Sequence, residues 1–171
     1  MVEVDGGSAP GPEVVLMCGV AGSGKTTHAR RWEARGYTRL SVDEEVWARF
    51  GRHGIDYRPD RYAELSDLAE GVLRERLRTL VTQGHDVVVD LSLWRRHERE
   101  DYKQLIEHAG GHWRLVYLNA SPQLLRRRLA DRSHRFDANA AFPVDEAMLT
   151  RYLTGFEAPS GEGEEMIVVP G

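Results

Sequence analysis

Residues 19–26 of the chain read Gly-Val-Ala-Gly-Ser-Gly-Lys-Thr, which matches the pattern GxxxxGK[ST]. The apolar run Val-Val-Leu-Met-Cys at positions 14–18 comes directly before it, as expected for a strand that leads into a phosphate-binding loop and then a helix. In such a loop the glycines let successive backbone N–H groups surround a phosphate, and the positive end of the following helix points at the same anion. The sequence therefore predicts that this chain binds a nucleoside triphosphate.

The residues of this loop are the first candidate functional residues. Lys25 occupies the motif position whose ammonium group reaches the β- and γ-phosphate oxygens, which also makes it a candidate catalytic residue. Thr26 supplies a hydroxyl to Mg²⁺, an ion that takes oxygen ligands and shares them with the phosphates. A chance match is disfavoured because the chain has only two lysines, Lys25 and Lys103, and one of them falls on the motif. We predict nucleotide contacts from Gly22, Ser23, Gly24, Lys25, Thr26 and Thr27.

The composition is typical of one globular domain. The chain has 171 residues, a charged fraction of 29% and a formal net charge of −4, so it has no general attraction to nucleic acid or to anionic membranes. It contains no apolar run long enough to span a membrane and no signal-peptide pattern, and we therefore predict a cytoplasmic protein without a membrane partner. The single cysteine, Cys18, excludes an internal disulfide and is expected to be a small core residue.

Strand-like and helix-like patterns alternate along the chain. Residues 1–12 hold three glycines and two prolines and predict a flexible N-terminal tail, so the folded domain is expected to cover residues 13–171. Apolar runs predict strands at 13–18, 38–41, 86–90, 113–118 and 166–169, and helices are predicted at 25–35, 43–50, 60–83, 95–109 and from residue 122 onward. Alternating strands and helices imply an α/β fold with a parallel sheet covered on both faces.

Two aspartates follow or end predicted strands. Asp90 ends the strand at 86–90, where ligands sit in open α/β sheets and where a carboxylate can hold Mg²⁺. Asp43 follows the strand at 38–41, where it can accept the proton of an attacking hydroxyl, and both aspartates are candidate substrate contacts. The alternative is that Ser41, Asp43 and Asp90 are ordinary helix-capping residues.

Arginine is concentrated in residues 126–135, which read RRRLADRSHR. Arginines on several faces of one helix cannot all reach one ligand, so we select Arg128, Arg132 and Arg135 as the candidates that close over the phosphates and neutralise charge during transfer. Trp94 and Arg95, at the start of the helix after Asp90, are candidates for stacking on a substrate or pairing with it. The alternative for this pair is a buried tryptophan beside an exposed basic helix face.

A family resemblance rests on the phosphate loop together with several further segments. These are Ser41-Val42-Asp43, Val89-Asp90, the arginine-rich helix after Ser121-Pro122, and the stretches AFPV (141–144), FEAP (156–159) and GEGEE (161–165). From about Glu13 to Val169 the chain resembles the small AAA-family predicted-kinase proteins of the P-loop kinase class. It is similar to the kinase domain of phage polynucleotide kinase, to zeta toxins, to gluconate kinases and to chloramphenicol phosphotransferase.

The resemblance implies that residues 13–171 form a P-loop kinase domain. Its fold would have three α/β/α layers, a five-stranded parallel sheet in the order 2-3-1-4-5 and an arginine-bearing lid. The resemblance also implies that ATP and Mg²⁺ are bound and that the γ-phosphoryl group is transferred to a hydroxyl. In that reaction Asp43 would match the base, and Arg132 or Arg135 would match the lid arginine.

Three functions compete on this basis. We favour an ATP-dependent kinase that phosphorylates a hydroxyl of a small-molecule acceptor, a metabolite or an antibiotic, and that acts as a monomer or homodimer. The alternative is a polynucleotide 5′-hydroxyl kinase, in which Arg95, Arg96 and Arg99 would line a basic groove that leads to Asp43. The third is a nucleotide-dependent switch ATPase, which needs a water-positioning residue and an arginine finger, and the sequence identifies neither.

Overall fold

A computed structural model describes residues 10–132 and 144–171 of the chain. In chain order they form β1 (Glu13–Cys18), α1 (Lys25–Glu33), β2 (Thr38–Ser41), α2 (Val42–Phe50), a 3₁₀ turn (Pro59–Arg61), α3 (Tyr62–Thr82), β3 (Val87–Asp90), α4 (Arg96–His108), β4 (His112–Asn119), α5 (Pro122–Arg132), α6 (Glu146–Gly155) and β5 (Glu164–Val168). Each predicted strand and helix is present, with bounds within two residues of the predicted ones. Of the predicted tail at 1–12, residues 1–9 lie outside the described residues, and the Pro12 carbonyl accepts a hydrogen bond from the His112 amide.

The five strands form one parallel sheet in the order β2-β3-β1-β4-β5, which confirms the order that the family resemblance implied. In the sheet register Leu16 pairs with Val89, and Ser41 pairs with Asp90. The ends of β1, β2 and β3 therefore lie at the same carboxyl edge. The phosphate loop, Asp43 and Asp90 all follow or end these three strands, so the topology gathers them along one edge.

Helices cover both faces of the sheet, because the central strands are apolar on both sides. On one face α3 buries Leu65, Ala69, Leu73, Leu77 and Val81 at four-residue intervals, and the last four of these share one core with residues of β1 and β3. On the other face Ala29 and Trp32 of α1 pack against Met17, Val88 and their neighbours. No helix among residues 10–132 and 144–171 is long and apolar enough to cross a membrane.

Helix α6 was not predicted from the sequence. Its start is fixed by Asp145, whose side chain accepts a hydrogen bond from the Met148 amide at 2.8 Å. Leu149 is the buried residue of this helix, and Val144 and Leu153 pack against the same small core with α5. An apolar stripe this narrow gives a weak periodic signal, which is why the sequence pattern did not reveal the helix.

Candidate active site

The loop between β1 and α1 has a backbone that glycine favours, as Gly22 and Gly24 show. Gly22 and Gly24 have φ angles of 85° and 103°, in the region that residues with a Cβ rarely adopt. Gly24 precedes α1, and no side chain caps this helix end or places an acidic group in its first turn. The loop is also tied to its neighbour, because the Gly19 amide donates a hydrogen bond to the Ser92 carbonyl at 3.1 Å. These features leave the positive end of α1 open to an anion.

The polar side chains of this loop fit a bound triphosphate and Mg²⁺. The Lys25 ammonium lies over the loop, with its nitrogen 2.9 Å from the carbonyl oxygen of Val20. Ser23 is 1% exposed, and its hydroxyl has no hydrogen-bond partner among the described residues, as expected of a group that meets a ligand. Thr26 is partly buried and Thr27 is exposed at the start of α1. Their hydroxyls are oxygen donors of the type that Mg²⁺ and phosphate use.

Arg128 reaches the phosphate loop from α5. Its Nη1 donates to the carbonyl oxygens of Gly22 and Ser23 at 3.3 and 3.1 Å. A Cβ added at Gly24 would lie 3.1 Å from the same nitrogen, so the glycine also makes room for this guanidinium. Arg128, one of the three selected arginines, therefore lies against the backbone of the phosphate loop. The side chain of Arg132 and the whole of Arg135, the other two selected arginines, lie outside the described residues.

Asp90 is buried at the end of β3 and is held by an arginine that the sequence reasoning missed. The Nη1 of Arg39 donates to the Oδ2 of Asp90 at 2.8 Å, and the Arg39 side chain is only 4% exposed. The same guanidinium pairs with Glu44 of α2 and lies 3.6 Å from a carboxylate oxygen of Glu33. Burial lowers the pKa of Arg39, but these carboxylates raise it overall, and the side chain stays a cation. The sequence held one indication of this ion pairing. An arginine inside a short strand that neighbours a buried strand is itself largely buried, and a buried arginine needs acidic partners.

Asp43 lies in the first turn of α2, and Ser41 is the residue that caps this helix. The Ser41 hydroxyl accepts a hydrogen bond from the Glu44 amide at 3.4 Å, so the capping alternative is correct for Ser41. The Oδ1 of Asp43 instead accepts a hydrogen bond from the Tyr62 hydroxyl at 3.0 Å. Burial and the nearby Asp43 charge raise the pKa of Tyr62, so this phenol keeps its proton and remains a donor.

Trp94 and Arg95 occupy different environments just before α4. The Trp94 ring is partly buried and meets the Tyr152 ring of α6 edge-on, with the ring centroids 4.8 Å apart. The Trp94 carbonyl accepts a hydrogen bond from the Glu157 amide at 2.9 Å. Arg95 is exposed, and its amide donates to the Glu98 carboxylate at the start of α4. Trp94 is thus placed beside α6, whereas Arg95 faces outward from the helix start.

Arg99 is buried and does not line a groove. This corrects the hypothesis that Arg95, Arg96 and Arg99 together line a basic groove for a polynucleotide. Arg99 is 1% exposed and forms two hydrogen bonds of 2.9 Å to the carboxylate of Glu162, which is also buried. Its remaining nitrogen donates to the Leu93 carbonyl at 2.8 Å, in the loop that follows Asp90. Lys103 donates to the Glu162 carbonyl at 2.9 Å. This buried ion pair connects α4 to the segment before β5 and supports the loop after β3.

Cys18 lies at the end of β1 and is completely buried, as the sequence predicted. Its Sγ is 3.5 Å from the Leu93 carbonyl, the same oxygen that accepts from Arg99. Burial raises the pKa of the Cys18 thiol to about 11, although the positive charges of Arg99 and Lys25 act in the opposite direction. A thiol in this state is a structural residue rather than a nucleophile.

Comparison with known proteins assigns this arrangement to a family. Residues 14–159 match the family described as AAA domain, which is most of the chain. The chain belongs to this family. The AAA-domain protein is also similar to a UPF0200 protein from Pyrobaculum aerophilum, with 35% identity over 127 residues, which are 72% of this chain and 68% of that protein.

Solved structures confirm the fold. The AAA-domain protein is similar to a candidate kinase from Chloroflexus aurantiacus, with a TM-score of 0.72 and 18% identity, over 95% of this chain and 86% of that chain. It is similar to a gluconokinase from Sinorhizobium meliloti with a TM-score of 0.63 and 20% identity, over the same shares of the two chains. The chain therefore has the P-loop kinase fold, and the resemblance inferred from its motifs is confirmed.

Proposed function

We propose that this AAA-domain protein is an ATP-dependent kinase that transfers the γ-phosphoryl group of ATP to a hydroxyl of a small-molecule acceptor. The proposal rests chiefly on one observation: a glycine-rich phosphate loop and the Asp43 carboxylate lie at the same carboxyl edge of the parallel sheet. That arrangement suits a reaction in which one partner is a phosphate chain and the other is a hydroxyl that must lose a proton. The similarity in fold to a gluconokinase is consistent with such an acceptor.

The phosphate loop and α5 supply the residues that bind the phosphates of ATP. The backbone of Gly22–Gly24 and the start of α1 bind the phosphates, and Lys25 reaches their β and γ oxygens. Arg128, already at the loop, adds positive charge where the transferring group becomes more negative. Thr26 and Asp90 carry the oxygen donors for Mg²⁺, which when bound offsets the charge of the phosphates.

Asp43 acts on the acceptor, as the general base for its hydroxyl. The acceptor oxygen forms a bond to the γ-phosphorus while the bond from that phosphorus to the β–γ bridging oxygen breaks, and ADP leaves with the electron pair. The proton of the acceptor hydroxyl passes to the Asp43 carboxylate. Because Tyr62 donates to the Oδ1 of Asp43, the carboxylate is fixed before an acceptor arrives.

The two other functions receive less support. A polynucleotide 5′-hydroxyl kinase needs a basic groove toward Asp43, and one of the three arginines considered for it, Arg99, is buried against Glu162. A switch ATPase would hydrolyse ATP at the same rate with or without an acceptor. Small-molecule phosphorylation is therefore the function that the site favours.

The test is transfer of labelled γ-phosphate from ATP to a panel of alcohols. Asp43→Asn should bind ATP nearly as tightly as the wild type and yet lose turnover by at least about 100-fold, since a general base contributes roughly 10²–10⁴-fold. Asp86→Asn is the matched control, because Asp86 accepts from the Glu13 amide at the opposite edge of the sheet, and its turnover should be unchanged. An unchanged rate for Asp43→Asn would refute the assignment of the base. Turnover that needs no acceptor would instead favour the switch ATPase.

A further inference from the structure

The loop between β3 and α4, residues 91–95, has a strained backbone at Leu93. The φ angle of Leu93 is 47°, and among the described residues it is the one residue other than glycine with a positive φ. Leucine rarely adopts this left-handed conformation, which persists only where the surrounding structure holds it. The contacts of the carbonyl groups in this loop show what holds it.

Two consecutive carbonyl groups of the loop accept hydrogen bonds from different parts of the chain. The Ser92 carbonyl accepts from the amide of Gly19, the first residue of the phosphate loop, at 3.1 Å. The Leu93 carbonyl accepts from Nη1 of Arg99 at 2.8 Å. The Cys18 Sγ lies 3.5 Å from the same oxygen, but a thiol is a weak donor, so Arg99 is the stronger partner.

The strained angle connects these two hydrogen bonds. Rotation about φ of Leu93 turns the peptide group that carries the Ser92 carbonyl relative to the one that carries the Leu93 carbonyl. When Arg99 fixes the Leu93 carbonyl, a φ of 47° directs the Ser92 carbonyl at the Gly19 amide. A change of this φ toward ordinary negative values would turn the Ser92 carbonyl away from the phosphate loop.

The backbone at Gly19 is tightly packed, so its position is tied to the rest of the phosphate loop. A Cβ added at Gly19 would lie 2.6 Å from the Ser23 hydroxyl oxygen and 3.0 Å from the Leu118 carbonyl oxygen. The Ser23 amide donates to the Val20 carbonyl at 3.1 Å, which closes a turn within the loop. A shift of the Gly19 backbone would therefore move the residues that surround the phosphates.

The guanidinium of Arg99 is held in a fixed direction. Its Nε and Nη2 each donate to the carboxylate of Glu162 at 2.9 Å, and the two side chains are only 1% and 2% exposed. Because a guanidinium is planar, these two bonds also fix the direction of Nη1, which donates to Leu93. The buried ion pair therefore sets the position of the Leu93 carbonyl.

We propose that Arg99 is a positioning residue for the nucleotide site, which acts through the strained Leu93 backbone to keep the phosphate loop in its anion-binding conformation. This inference rests on the proposed function, in which that loop binds the phosphates of ATP. Arg99 is itself buried and does not touch the nucleotide. Without its contact, Leu93 relaxes and the loop is competent to bind for only part of the time, so the affinity for ATP falls by that fraction.

The experiment measures the Kd of Mg²⁺-ATP by calorimetry in two variants whose folding is checked by circular dichroism. Arg99→Met leaves the Glu162 carboxylate buried without its counter-charge, whereas Arg99→Met/Glu162→Met removes both charges and should be the more stable variant. Both lack the donor to the Leu93 carbonyl. Both should therefore bind ATP about tenfold more weakly than the wild type, because strain of this size shifts a population by that order.

Lys103→Met is the matched control. Lys103 is also a buried cation of α4, 4% exposed, but its ammonium donates to the Glu162 carbonyl at 2.9 Å and to the Glu100 carboxylate at 2.8 Å rather than to the loop after β3. The variant should lose stability in urea unfolding and yet bind ATP as the wild type does.

An equal loss of ATP affinity in the two Arg99 variants, despite their different stabilities, would support the positioning role. ATP affinity that returns to the wild-type value in the double variant, or that falls equally in Lys103→Met, would overturn it. These results leave the kinase proposal standing, because that proposal fails only if the wild type transfers no labelled phosphate to any alcohol. A wild type that takes up no Mg²⁺-ATP would overturn both.

Discussion

Replacing Glu162 by glutamine tests the buried ion pair that supports the loop after β3. The variant keeps the shape of the side chain but removes the charge that faces Arg99, which forms two 2.9 Å hydrogen bonds to Glu162 and is 1% exposed. Leaving one member of a buried pair without its counter-charge costs about 3–5 kcal/mol. A typical domain has only about 5–15 kcal/mol of stability, so urea unfolding followed by circular dichroism should show a large fall in the midpoint.

The exposed pair between Arg114 and Glu165 provides the control. It has the same two-hydrogen-bond geometry, but its side chains are 39% and 49% exposed, so Glu165→Gln should cost less than about 1 kcal/mol. The double variant Arg99→Met/Glu162→Met should lose less stability than the sum of its single variants, because no unpaired charge is left buried. A cost below about 1 kcal/mol for Glu162→Gln, or strict additivity in the double variant, would refute the reasoning.

Gly24→Ala should weaken ATP binding by about tenfold or more in calorimetry, since a side chain at a φ of 103° strains the phosphate loop by about 1–3 kcal/mol. Gly84→Ala, at a φ of 85° but with open space around it, should bind ATP normally. Arg39→Lys should lower kcat by about tenfold with ATP affinity unchanged, because an ammonium cannot reproduce the planar guanidinium that contacts Asp90 and Glu44 together. An unchanged kcat in steady-state kinetics would contradict this. Burial raises the pKa of Glu162, but hydrogen bonds and the charge of Arg99 outweigh it and hold this pKa below its ordinary value of 4.5. The free energy of unfolding should therefore fall as the pH drops from about 4.5 toward the lowered pKa, and this fall should be weaker in Glu162→Gln.

Local patterns in the sequence were sufficient for most of the fold. The loop pattern at residues 19–26 located β1 and α1, and the strand at 38–41 was predicted with the bounds that β2 has. Both are decided by neighbours within a few positions, through glycine turns and apolar runs. The order of the strands depended on the family resemblance, because it is set by contacts between distant segments.

The partners of the charged residues could not be predicted in the same way. Arg99 and Glu162 are 63 positions apart, and Arg39 and Asp90 are 51 apart, so no local pattern pairs them. One signal on α4 was nevertheless readable: Arg99 shares a helical face with the buried Tyr102 and Ile106. A cation on such a face is buried and needs a carboxylate, although only the tertiary structure identifies Glu162 as that carboxylate.

Because Cys18 is buried, its chemical modification can report how often the centre of the sheet opens. Cys18 is the single thiol of the protein, it lies at 0% exposure where β1 meets the phosphate loop, and its pKa of about 11 keeps it unreactive at neutral pH. A thiol-specific reagent can modify it only after β1 has separated from its surroundings, so the rate of modification measures how often the centre of the sheet comes apart. Any molecule that occupies the adjoining loop should slow that modification in proportion to its occupancy, without a fluorophore or an engineered label.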